Sequence, residues 1–200
     1  MKNNENGRSM VEMLGVLAII GVLSAGGLAG YSKAMFKHKL NSTMDQITML
    51  VTNIRTMYGT QGNYSGLQTD AINLGIIPSV MGTAMNALTN PFKGGVTITT
   101  VNARGNSAAN LGAENTENPT GFVVSYSGLP TEACIALATT DFGSGAGSGF
   151  ISVGVGATHP ATPLGYIGSN EGKAYDMSAA ITACNANGVA DNATVSWYFY

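Results

Sequence analysis

Charge is scarce in this chain of 200 residues: Lys and Arg number 9, Asp and Glu 11, together 10% of the sequence. Ordinary soluble domains carry roughly 25%, so a densely charged, solvated surface is not what this sequence builds. The formal net charge of −2 leaves no basic footprint, and no direct nucleic-acid binding is expected. Histidine and cysteine each occur twice. Cys134 and Cys184 lie about 50 residues apart without a nearby histidine pair, which is not a metal-ligand spacing. No serine sits in a glycine elbow, and the run Gly143–Gly149, an expected exposed loop, lacks the Gly-Lys-Ser/Thr ending of a phosphate loop. No catalytic group, cofactor or metal is therefore expected, and the chain does not read as an enzyme.

Apolar residues, by contrast, make up 44% of the chain, and glycine alone contributes 27 residues. A polar stretch ends at Gly7, and from Met13 to Ser32 there is no charged residue. About 20 residues at 1.5 Å rise cover about 30 Å of hydrocarbon, enough to span a bilayer. One acid, Glu12, stands at the lip of that segment. A carboxylate there costs on the order of 2.5–3.5 kcal/mol if it reaches the helix centre, and less near the interface. It asks for a partner. The stretch before Gly7 has no apolar core of its own, so it is not an ordinary secretory signal, and the apolar segment stays in the mature chain. Lys2 and Arg8 precede the span while Lys33, Lys37 and Lys39 follow it, so loop charge does not favour a cytoplasmic N-terminus. The three lysines read as snorkelling toward lipid headgroups.

Beyond the span the apolar pattern becomes periodic. Phe36, Leu40, Met44, Ile47, Leu50, Val51, Ile54 and Tyr58 recur every three or four residues, with Lys37, Asn41, Asp45, Thr52 and Arg55 largely between them. This predicts one helix from Arg8 to Tyr58, stopped by Gly59 and Gly62, whose second half lays its stripe on a sheet. A free two-stranded coiled coil is the alternative. Gly15, Gly21, Gly26, Gly27 and Gly30 soften the first half, each at up to about 1 kcal/mol relative to Ala. Gly26 and Gly30 form a small-xxx-small face that lets helices approach; ordinary transmembrane glycine content is the competing reading.

Short helical turns are predicted at Thr69–Leu74 and Val80–Leu88, broken at Pro78. Strands follow at Val96–Val101, Phe122–Ser127, Phe150–Val155 and Thr194–Tyr200, and helices at Pro130–Ala138 and Met177–Cys184. A helix first and strands later point to an α+β fold with an antiparallel sheet. Trp197 to Tyr200 read as core of the last strand rather than a binding patch. His38, His159, Glu114 and Glu117 read as solvated. An even pair of cysteines after a membrane segment predicts a Cys134–Cys184 disulfide, two buried thiols being the alternative.

Gly7, Arg8 and Glu12 give the N-terminus its resemblance to a type IV prepilin: a short polar leader ending in glycine, then a glutamate at the fifth mature position of an apolar helix. Downstream, Asn63-Tyr64-Ser65-Gly66-Leu67, Gly75-Ile76-Ile77-Pro78, Gly128-Leu129-Pro130-Thr131-Glu132-Ala133-Cys134 and Ala179 to Cys184 before a final strand are similar to type IVb pilins. That class includes toxin-coregulated, bundle-forming and conjugative thin-pilus subunits. Two features depart from it. The leader is short for the b class, and Arg8 stands where the family has an apolar residue.

The resemblance implies a leader (1–7), an apolar membrane and filament-core helix (8–32), its amphipathic continuation (33–58) and a globular head (59–200) with a disulfide-bounded region (134–184). It further implies cleavage after Gly7 and methylation of the new amino terminus on Arg8 by a prepilin peptidase. Glu12 would then be the assembly contact, taking the terminal ammonium of a neighbouring subunit. A local Arg8–Glu12 pair at i, i+4 is the competing reading. The implied partners are further copies in a helical filament, an inner-membrane assembly platform and a separate cytoplasmic ATPase. The implied path runs from the inner membrane to an extracellular pilus on a bacterial, Gram-negative surface. A minor pilin or a secretion-system pseudopilin belongs to the same machinery; a membrane-tethered periplasmic enzyme or receptor is the reading from another class.

Overall fold

Helix α1 runs from Met10 to Tyr58 in the computed structural model, which describes residues 10–102, 117–143, 149–157 and 174–200. Two compact units divide the chain, Met1–Lys39 and Leu40–Tyr200. The first contains the apolar half of α1. In the second, Ile47, Leu50, Ile54 and Tyr58 are buried along one stripe of the same helix, as its three- and four-residue spacing predicts. Burying side chains of this size contributes about 1.5–3 kcal/mol each. Thr43 is also fully buried on this stripe, a position the apolar pattern does not mark.

The sheet that receives the stripe has four strands: β1 (Val96–Val101), β2 (Gly121–Leu129), β3 (Phe150–Gly156) and β4 (Ala193–Phe199). Their spatial order is β1-β2-β4-β3, with every neighbouring pair antiparallel. β4, the last described strand, lies between β2 and β3. Phe122, Val124 and Tyr126 of β2 and Val195, Trp197 and Phe199 of β4 share one core with the α1 stripe. The intervening residues face the other way, as a period of two requires. Val101, Val123, Ile151 and Tyr198 form a second buried cluster there, and the hydroxyls of Ser125 and Ser196 meet at 2.7 Å. Both faces of β4 are thus buried, and Trp197 to Phe199 are core residues, as the alternation predicts.

Helices α3 (Thr131–Ala138) and α4 (Met177–Cys184) complete the unit. Pro130 stands just before the first turn of α3, and the Asp176 carboxylate caps α4 by accepting from the Ala179 amide at 2.8 Å. The segment between α1 and β1 is less helical than its sequence suggests. Only α2 (Leu67–Asp70) and a single 3-10 turn (Met85–Ala87) form. The predicted turn Thr69–Leu74 is replaced by α2, which closes at Asp70, and Gly82, at positive φ inside the predicted Val80–Leu88, breaks the second. Asn90 organises the rest: its side-chain oxygen accepts from the amides of Phe92 and Gly94, and its amide group donates to the Ser127 carbonyl at 2.8 Å.

Gly149, at the entry to β3, has φ +69. A Cβ there would lie 2.5 Å from a guanidinium nitrogen of Arg55 and 2.9 Å from the Tyr200 carbonyl oxygen, while the Tyr200 amide donates to the Gly149 carbonyl at 2.9 Å. Gly149→Ala is expected to destabilise the head by about 1–3 kcal/mol. The check is the unfolding midpoint of the detergent-solubilised chain, and an unchanged midpoint would refute this close approach.

Candidate functional site

Three places bear on function: the first half of α1, the disulfide-linked helices, and a groove beside the end of α1. In the first, Glu12 lies in the opening turn of α1 and is exposed. Gly7 and Arg8 lie outside the described residues, as do His159, Glu114 and most of the Gly143–Gly149 run. From Met10 to Tyr31 the large apolar side chains are 50–84% exposed. Burying such residues is the usual driving force of association, and here nothing within the unit does so. The helix is long and apolar enough to cross a membrane.

The glycines of this half carry a second observation. A Cβ built on Gly15, Gly21, Gly26, Gly27 or Gly30 would meet nothing within 4 Å. Among the described residues no contact requires them to be glycine, so their cost in helix propensity is not repaid by packing there. Ser32 satisfies its hydroxyl on the Leu28 carbonyl at 3.0 Å. Lys33, Lys37 and His38 follow, all exposed.

The second place is a covalent joint. Cys134 in α3 and Cys184 in α4 form a disulfide across 50 residues, and both are fully buried. The pairing predicted from sequence is present, and free thiols are excluded. The Tyr175 amide adds a bond to the Ala138 carbonyl at 3.2 Å. At the other end of α3, the Thr131 hydroxyl donates to Asp191 at 3.2 Å.

The third place is a groove of about 460 Å³ lined by Arg55, Tyr58, Asn63, Tyr64 and Tyr200 among others. Arg55 reads from the helical pattern as part of the solvated face, yet it is half-buried. Only long-range packing places it here. Burial pushes the Tyr64 hydroxyl above its usual range, with Arg55 opposing; burial and then the Asp70 carboxylate push Tyr58 the same way. Both phenols are thereby held more firmly protonated, with their titration further above pH 7, the reverse of what general acid–base chemistry at neutral pH calls for. Among the described residues no group of three or more His, Cys, Asp or Glu stands together to hold a metal.

A long helix with an exposed apolar half, a stripe packed on an antiparallel sheet, and a disulfide-bounded C-terminal region together define a type IV pilin fold. The crystal structure of TcpA, a type IV pilin from Vibrio cholerae El Tor biotype, has this fold. It matches with a TM-score of 0.50 at 14% identity, covering 82% of this chain and 99% of that one. The Bundlin family model matches residues 33–200, and the chain belongs to that family. Two relatives are each described as the major structural subunit of bundle-forming pilus. One is from Escherichia coli O111:H- and the other from Escherichia coli O127:H6 (strain E2348/69 / EPEC). Each is 28% identical over 187 residues, 92% of this chain and 89% of its own length. The chain is thus a pilin, a structural protein.

Proposed function

We propose that this chain is the major structural subunit of a type IVb-like pilus, cleaved after Gly7 by a prepilin peptidase and methylated on Arg8. Residues 1–7 are then the leader, 8–32 the membrane anchor and later filament core, 33–58 the continuation of the helix and 59–200 the head. The observation that carries this reading is the exposed apolar half of α1, with glycines that no contact among the described residues requires. Its surface is at home in lipid before assembly, and among identical helices afterwards. Small residues then let backbones approach.

In this reading the terminal ammonium of an incoming subunit neutralises Glu12 of a neighbour and sets axial register. The contact joins two different parts of the subunit, so it does not close on itself and propagates as a helix. Extraction from the inner membrane and polymerisation need an assembly platform and a separate ATPase. The fibre serves adhesion, aggregation or conjugative contact at the cell surface.

Electron microscopy of cells lacking the gene product tests the proposal. Loss of all fibres, restored by the gene in trans, is the expected result. Fibres changed only in number or length would identify a minor pilin, and fibres unchanged would remove the filament reading.

A further inference from the structure

Charge is segregated along this chain. Residues 1–39 hold five of the 9 basic residues and two of the 11 acids, whereas residues 40–200 hold four and nine. The basic share gathers in a collar, Lys33, Lys37, His38 and Lys39, and no acid lies between Glu12 and Asp45. The helices joined by the disulfide have the opposite character. Across the described residues 130–143 and 174–200 there are four acids, Glu132, Asp141, Asp176 and Asp191, and no Lys, Arg or His. All four are exposed.

These acids belong to one braced region. The disulfide joins α3 to α4, the Tyr175–Ala138 bond keeps Asp176 and Asp141 at the same end, and the Thr131–Asp191 bond secures the other. Between them α4 turns two large apolar side chains outward, Met177 at 60% and Ile181 at 46% exposure. They stand four residues apart, on one face of the helix. Capping accounts for the position of Asp176, and a tight turn for Asp141, whose carboxylate accepts from Gly143. Neither accounts for the exposure of Met177 and Ile181 beside these acids.

We propose that this α3/α4 face docks the Lys33–Lys39 collar of a second copy of the chain. The chemistry of the two surfaces is complementary. Lysine stems cover the Met177 and Ile181 side chains while their ammonium groups reach the surrounding carboxylates. Because the collar and the face are different surfaces, the contact is heterologous and repeats along a fibre. The inference rests on the filament reading above, and adds to it a contact outside the apolar helices.

The test is a charge-reversal cycle in the full-length chain, expressed in cells that assemble the fibre. One variant reverses the collar (Lys33→Glu with Lys37→Glu), a second reverses the face (Glu132→Lys with Asp141→Lys), and a third carries both. Each single set is expected to lower sheared-fibre yield by about tenfold or more, as close charge pairs at interfaces do. The combined set should restore most of it. The mature mass should differ only by the substitutions, and subunit level and the Cys134–Cys184 bridge should be unchanged throughout. Ile181→Ser, which alters only an exposed side chain, should lower yield several-fold on the same measures. Wild-type yield from both single sets, or a combined set as defective as its parents, overturns the docking. Absence of fibres from the wild-type chain itself would instead overturn the filament reading.

Discussion

Glu12→Ala is expected to give a subunit that is cleaved, retained in the membrane and almost entirely unassembled. The proposed cleavage point after Gly7 lies five residues upstream, so in this reading peptidase processing should proceed and the mature mass should differ only by the substitution. Assembly should fail because the carboxylate is the one charge at the head of a long apolar surface. Removing one member of a buried pair costs about 3–5 kcal/mol. At 1.4 kcal/mol per factor of ten, that is a loss of roughly two to three and a half orders of magnitude in the assembly equilibrium. Sheared-fibre yield and membrane-fraction immunoblots measure the two halves of the expectation. Abundant normal fibres would end the pairing hypothesis. Arg8→Ala separates the two possible partners: it retains an amino terminus but lacks the guanidinium, so persisting fibres identify the terminal ammonium as the partner.

Replacing Cys134 and Cys184 by alanine should cost the head about 4 kcal/mol through the restored freedom of a 50-residue loop. Native domains are stable by only about 5–15 kcal/mol, so the variant is expected to lose a large share of its margin and to be degraded faster before assembly. Pulse–chase lifetimes in the cell and the unfolding midpoint of the solubilised chain measure the loss. Non-reducing peptide mapping of native fibres should recover Cys134 linked to Cys184. Two alkylatable thiols there, or a variant as long-lived as the native chain, would contradict the structural role assigned to the bridge.

What could be read from the sequence divides along physical lines. The α1 stripe, β1 and α4 were legible because local periodicity and helix-end residues determine them; β1 and α4 begin and end where the pattern places them. Glu12 stood out for a related reason, as an acid against an apolar background. The segment between α1 and β1 was harder, since α2 closes at Asp70 rather than Leu74 and Gly82 breaks the turn that propensity places over Val80–Leu88. The roles of Asn90, Arg55 and Gly149 were not legible at all. Each depends on a segment remote in sequence: Ser127 for Asn90, and the junction of β3 with Tyr200 for the other two. The order β1-β2-β4-β3 belongs with them, because alternation identifies strands but not their neighbours.

That order governs when the head can exist during synthesis. β1 and β2 pair with each other and can close as soon as both have emerged. β3 has a single neighbour, β4, and until β4 arrives both of its edges are open. Unpaired strand edges invite association with other chains. The nascent head is therefore an incomplete sheet until its final described strand slides between two waiting ones. A translation product cut short before Ala193 would have no half-finished form to fall back on, only a two-stranded remnant and an orphan strand. The central position of β4 thus makes the last described strand the one that closes the sheet, and a copy lacking it could not present the head that a filament of identical subunits repeats.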